Sequence, residues 1–150
     1  MPIYEVLTTE GTLDADKREK LAAHIVKVHT EETGSPAAFV HVLFPELPPG
    51  HSFTAGTVAA PNIIRAQIRA GRPTTVRHAI IQRLFDFYSE LTGAGGLEIL
   101  VAVIDVPAQW AMEGGMIMPE PTREAETEWF AKLEANQASK SPMHAATRPL

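Results

Sequence analysis

The chain has 150 residues, 45% of them hydrophobic, with a net charge of −5 and a pI near 5.6. That length suits one domain with a sizeable core, and the acidic balance gives no overall electrostatic footprint for nucleic acid or an anionic membrane. There is no cysteine, which excludes disulfides, thiol nucleophiles and thiolate metal sites; no apolar run approaches the roughly 20 residues of a membrane span, and a cytoplasmic protein is expected.

Taken in order, the chain begins Met1-Pro2-Ile3-Tyr4-Glu5-Val6-Leu7. Removal of Met1 would turn the Pro2 nitrogen into a free secondary amine held by its ring, able to act as base or acid near neutrality, whereas the plain alternative is a proline that starts an edge strand. Ile3 to Thr8 reads as a strand, and Gly11 as the turn that ends it. Asp14 caps an amphipathic helix over Ala15 to Glu32, with Leu21, Ala22, Ile25, Val28 and His29 on one face and Gly34 and Pro36 at its close. Phe39 to Phe44 is an apolar run of the length of a buried strand. Pro45 to Pro61 is a proline- and glycine-rich connection with room for a short hairpin. A strand over Ile63 to Arg69, a helix over Thr74 to Glu90 with Ile80, Ile81, Leu84, Phe87 and Tyr88 inward, and a strand over Glu98 to Ile104 repeat the β-α-β pattern.

The repeat has a register. Pro61 minus Pro2, Gly93 minus Gly34 and Pro107 minus Pro48 each give 59, as do Arg77 minus Arg18, Thr92 minus Thr33 and Val101 minus Val42. An internal duplication follows, with pseudo-repeats of about 2–48 and 61–107. It predicts an α/β (α+β) domain over 1–136: two tandem β-α-β units forming a mixed four-stranded sheet with two helices on one face. The bare sheet face then calls for self-association. Pro61 has an amide nitrogen, so only Pro2 can become a base. In the C-terminal extension, about 108–136, Ala108 to Glu113 reads as a helical turn, Met116 to Met118 as a short strand, and Thr122 to Asn136 as a helix with Trp129, Phe130 and Leu133 on its apolar face. The polar, proline-containing stretch 137–150 is expected to be a disordered tail.

Chemistry must come from few groups. Arg69-Ala70-Gly71-Arg72 leaves the third strand with two guanidinium groups that can clamp a carboxylate, or stand as solvated loop residues. His29, on the apolar helix face, is a site residue or a satisfied core or interface group. Glu113, before Gly114-Gly115, is a carboxylate that flexible backbone can aim into a cleft, or a surface glutamate. The histidines show no metal-ligand spacing, and neither a serine-nucleophile, Walker nor dinucleotide-binding pattern is present, so no metal or cofactor is expected.

The second-position proline, the duplicated β-α-β halves, the arginine pair and the glutamate beyond the fourth strand resemble the tautomerase superfamily. More closely, with Pro107-Ala108-Gln109 and Glu128-Trp129-Phe130, the chain is similar to the cis-3-chloroacrylic acid dehalogenase group from Pro2 to about Leu133. The resemblance implies Pro2 as the catalytic amine, His29, Arg69 and Arg72 as substrate-binding groups, Glu113 as the water-activating carboxylate, and a homotrimer. That group carries a tyrosine where this chain has Ala102, a difference that weakens water addition and, as a pocket-shaping change, makes room for a bulkier acid such as an aryl enolpyruvate. The leading expectation is a cofactor-free enol–keto tautomerase. Alternatives are a hydratase or dehalogenase of 3-haloacrylate-like acids, cofactor-independent oxygenation of an enolate, and a non-catalytic trimeric scaffold.

Overall fold

A computed structural model describes residues 2–140. The chain opens with β1 (Ile3–Thr9), in which Tyr4, Val6 and Thr8 are buried in alternation, as the two-residue period of a strand requires. Asp14 accepts a hydrogen bond from the Lys17 amide (2.8 Å) and starts α1 (Ala15–Thr33), which buries Leu21, Ile25, Val28 and His29 and ends at Gly34 in the left-handed region. A 3₁₀ turn over Ala37–Phe39 leads into β2 (His41–Leu43). The apolar run expected to be a buried strand is therefore part turn and part short edge strand, with Leu43 half exposed.

The long connection holds β3 (Glu46–Leu47) and a small hairpin of β4 (Phe53–Thr54) and β5 (Thr57–Val58). The second unit follows as β6 (Asn62–Arg69), α2 (Thr74–Thr92), a 3₁₀ turn over Gly96–Glu98 and β7 (Leu100–Val106). After a third 3₁₀ turn over Ala108–Trp110 comes a second hairpin, β8 (Met112–Glu113) with β9 (Met116–Ile117). Last is α3 (Arg123–Lys140), started by Thr122, whose hydroxyl accepts from the Ala125 amide at 3.3 Å. The helix was expected to stop at Asn136; Gln137 to Lys140 continue it, and the rest of the expected disordered tail, 141–150, lies outside the described residues.

The main sheet runs β2-β1-β6-β7, with β1 and β6 antiparallel at its centre and each outer strand parallel to its neighbour. It has five strands rather than four, because β3 also pairs with β1. α1 and α2 lie together on one face over Tyr4, Val6, Ile64, Ala66 and Ile68. The duplication is metrically regular and extends further than the sequence match: subtracting 59 from α2 (74–92) gives α1 (15–33), and subtracting it from β8 and β9 gives β4 and β5. Hydrogen bonds repeat too, with Ala59 N to Ser52 O (3.0 Å) matching Met118 N to Ala111 O (2.9 Å). A smaller apolar cluster of Ala108, Met118, Trp129 and Leu133 attaches α3 to the second hairpin.

Candidate active site

The antiparallel pairing of β1 with β6 sets the start of one strand beside the end of the other, so Pro2 and Arg69 come to one cavity although they lie 67 positions apart in the sequence. Both line a cavity with His29, Ser35, Pro36, Phe39, Arg72, Met118, Pro119, Glu126, Trp129 and Phe130. Pro2 is buried, and its carbonyl accepts from the His41 amide at 2.9 Å, which docks β2 alongside.

The arginines are held by their surroundings. Arg69 is only 8% exposed; its Nη1 donates to the Pro119 carbonyl (2.7 Å), and its Nη2 donates to the Glu126 carboxylate. Arg72 donates to the Thr33 carbonyl (2.8 Å), at the electronegative end of α1, and to the Ser35 hydroxyl (3.1 Å), and lies 3.9 Å from the same Glu126 oxygen. Burial, and then the charge of Arg69, presses the Arg72 pKa below its ordinary value. The turn between them needs glycine: Gly71 has φ +95°, and a Cβ there would come within 3.1 Å of Pro121.

His29 is 2% exposed, and its Nδ1 lies 2.8 Å from the Tyr4 hydroxyl. Burial first, then the Arg72 charge, pushes the imidazole down to about 3, so it is neutral at physiological pH. Burial also pushes the Tyr4 phenol well above its usual range, so it keeps its proton. The opposite wall is aromatic, with Phe39 packed edge-on against Trp129 (centroids 5.7 Å apart) and tilted against Phe130 (5.6 Å). Trp129 is tied down by its Nε1, which donates to the Ile117 carbonyl at 2.9 Å.

Of the residues singled out in the sequence, the structure brings together Pro2, His29, Arg69 and Arg72. Glu113 and Ala102 are not among the residues lining the cavity. Glu113 lies on β8 and accepts from His41 Nε2 at 3.0 Å. Ala102 lies in register with Arg65, on the sheet face opposite the helices. Glu126, Tyr4 and the aromatic wall were missed. A signal existed for Glu126, since it falls three and four residues before Trp129 and Phe130, on the apolar face of the last helix extended by one turn. Among the described residues no group of three or more His, Asp or Glu is placed to hold a metal ion, and no helix is long and apolar enough to cross a membrane.

A duplicated β-α-β fold with a cavity joining the first proline to one buried and one partly buried arginine defines a tautomerase-superfamily protein. The family model described as "putative oxalocrotonate tautomerase enzyme" matches residues 1–134, and the chain belongs to that family. Among solved structures it is similar to native Ps01740, at 56% identity over 74% of this chain and 99% of that one (TM-score 0.73). It is also similar to N1, a member of the cis-3-chloroacrylic acid dehalogenase family, at 28% identity over 93% and 98% of the two chains (TM-score 0.81). A third is Pt0534 inactivated by 2-oxo-3-pentynoate, at 29% identity over 77% and 94% (TM-score 0.71). The curated proteins compared with the chain gave no match.

Proposed function

We propose that the protein is a cofactor-independent tautomerase that moves a proton between enol and keto forms of a carboxylate-bearing substrate, with Pro2 as the catalytic amine. One observation carries the reading: Pro2 shares a buried cavity with two guanidinium groups and a neutral imidazole. Arg69 and Arg72 hold the substrate carboxylate, and their charge favours the free-base form of the amine and offsets negative charge on the enolate. Tyr4 pairs with His29 Nδ1 at 2.8 Å, and in the tautomer in which the phenol donates, the imidazole keeps an Nε2 proton for the substrate carbonyl. Phe39, Trp129 and Phe130 offer an apolar surface to a substituent, which supports an aryl enolpyruvate. The support for a large substituent thus comes from this wall rather than from Ala102. Glu113 and Ala102 are assigned a role across a subunit boundary of a proposed homotrimer.

The mechanism requires removal of Met1, which intact-mass measurement reads directly. A folded protein that keeps Met1, and so has an amide nitrogen at Pro2, should have tautomerase turnover lower by about a thousandfold, within the range of a general acid–base group; equal turnover with and without Met1 rejects the mechanism. 2-Oxo-3-pentynoate, the inactivator of Pt0534, is an electrophilic probe of the same amine. It should add once to the mature protein, at Pro2, and leave a protein retaining Met1 unlabelled.

A further inference from the structure

Glu126 is a third charged member of the cavity that the tautomerase reading above does not use. Its carboxylate accepts from Arg69 and lies 3.9 Å from Arg72, while only about a quarter of the side chain is exposed. It is not a loose surface group. It sits in the first turn of α3, its amide donates to the Thr122 carbonyl at 3.0 Å, and the helix is fastened below it by Trp129 and Leu133. With His29 neutral, the side-chain charges are two arginines and one carboxylate, leaving one net positive charge.

We propose that Glu126 is a specificity-determining residue: by holding one equivalent of the arginine charge in place, it fits the cavity to monocarboxylate substrates and rejects dicarboxylates. The inference rests on the carboxylate-clamp reading. A first substrate carboxylate completes neutrality with the pair of arginines and Glu126. A second carboxylate within the same cavity meets Glu126 as a like charge among partly buried groups, where such repulsion is less screened than in bulk water. Ser35 and the Thr33 and Pro119 carbonyls meanwhile keep the guanidinium groups oriented whether or not substrate is bound.

The test uses a matched pair of trans unsaturated acids, crotonate and fumarate, which differ by a methyl group in place of the second carboxylate; the size difference is common to all variants and cancels in the change of their ratio. Their affinities are measured by calorimetry at pH 8 for the wild type, Glu126→Gln, Glu126→Asp, Arg69→Ala and Arg72→Ala. The wild type should prefer crotonate, Glu126→Gln should move the ratio toward fumarate by about tenfold or more, and Glu126→Asp, which keeps the charge, should retain the wild-type ratio. Equal tightening of both ligands in Glu126→Gln would mean that Glu126 is simply displaced by any carboxylate, and would overturn the proposal, as would an unchanged ratio. Arginine variants that bind crotonate as well as the wild type would reject the clamp itself, and the specificity role with it.

Discussion

At the scale of single residues, His29 shows how one environment serves both stability and chemistry. The imidazole lies under the two arginines and beside Tyr4, where a positive charge is costly, so its folded-state value of about 3 lies below the ordinary 6.5. A depressed value means that the unfolded chain binds the proton first on acidification. Stability is therefore full above about pH 6.5 and falls as pH drops toward 3, by about 3 kcal/mol from this group between pH 7.5 and pH 4, using about 1.4 kcal/mol per pKa unit. His29→Asn should show a flatter acid limb than the wild type when urea midpoints are compared at the two pH values and a fixed protein concentration; parallel limbs would show that His29 does not hold this proton penalty. Pro2 and the arginines were legible in the sequence because each has a local signature, a second-position proline and a pair around a glycine. Tyr4 and Glu126 were not, because neither means anything until β1 lies under α1 and α3 folds over the cavity.

At the scale of elements, α3 completes the site, and its seat depends on Gly114. This residue turns the β8–β9 hairpin at φ +62°, and a Cβ there would collide with Leu133 of α3. Gly114→Ala should cost about 2 kcal/mol or more, from left-handed strain and the clash together, and should lower turnover by loosening the helix that carries Glu126, Trp129 and Phe130. Leu133→Ala alone removes a buried leucine, at about 2–3 kcal/mol for a partly peripheral position. In the double variant the clash is gone, so the combined cost should fall short of the sum by about 1 kcal/mol in a denaturation-based cycle. Additive costs would show that the hairpin and helix do not meet as described. The paired hairpins also mark where sequence reading stopped. Positions 53–58 and 112–117 share the 59-residue offset, yet only Gly56 and Gly115 are identical, and strands of two residues are too short to show a period.

At the scale of the whole molecule, the duplication explains why one end of the sheet is chemical and the other is not. Moving Arg69 and Arg72 back by 59 gives Glu10 and Leu13, so the pseudo-equivalent position around Pro61 has neither a free amine nor a cation pair. The fold class, the register of the halves and the need to cover a bare sheet face were all readable from periodicity, because helices of equal length at a constant offset leave little freedom in how the halves stack. The bare face itself is ordered in rows: His41, Ile3, Gln67 and Ile104 across one, Leu43, Glu5, Arg65 and Ala102 across the next, and Ile63 between Leu7 and Leu100 in a third. His41 and Gln67 in the first row and the Glu5–Arg65 pair in the second, with Arg65 Nε donating at 2.9 Å, interrupt its apolar character. Leu43 on one edge strand and Leu100 and Ile104 on the other remain 50%, 56% and 43% exposed in the single chain, apolar groups that association would cover. If the proposed homotrimer closes over this face, Ile104→Glu sets an unpartnered carboxylate into every interface, at a cost of several kcal/mol per site, and should yield monomers by light scattering with the far-ultraviolet spectrum unchanged. Glu10→Lys, an exposed change off these rows, should leave the assembly intact. A trimer that survives Ile104→Glu would move the interface elsewhere, and the roles proposed for Glu113 and Ala102 across a subunit boundary would then have to be sought on another surface.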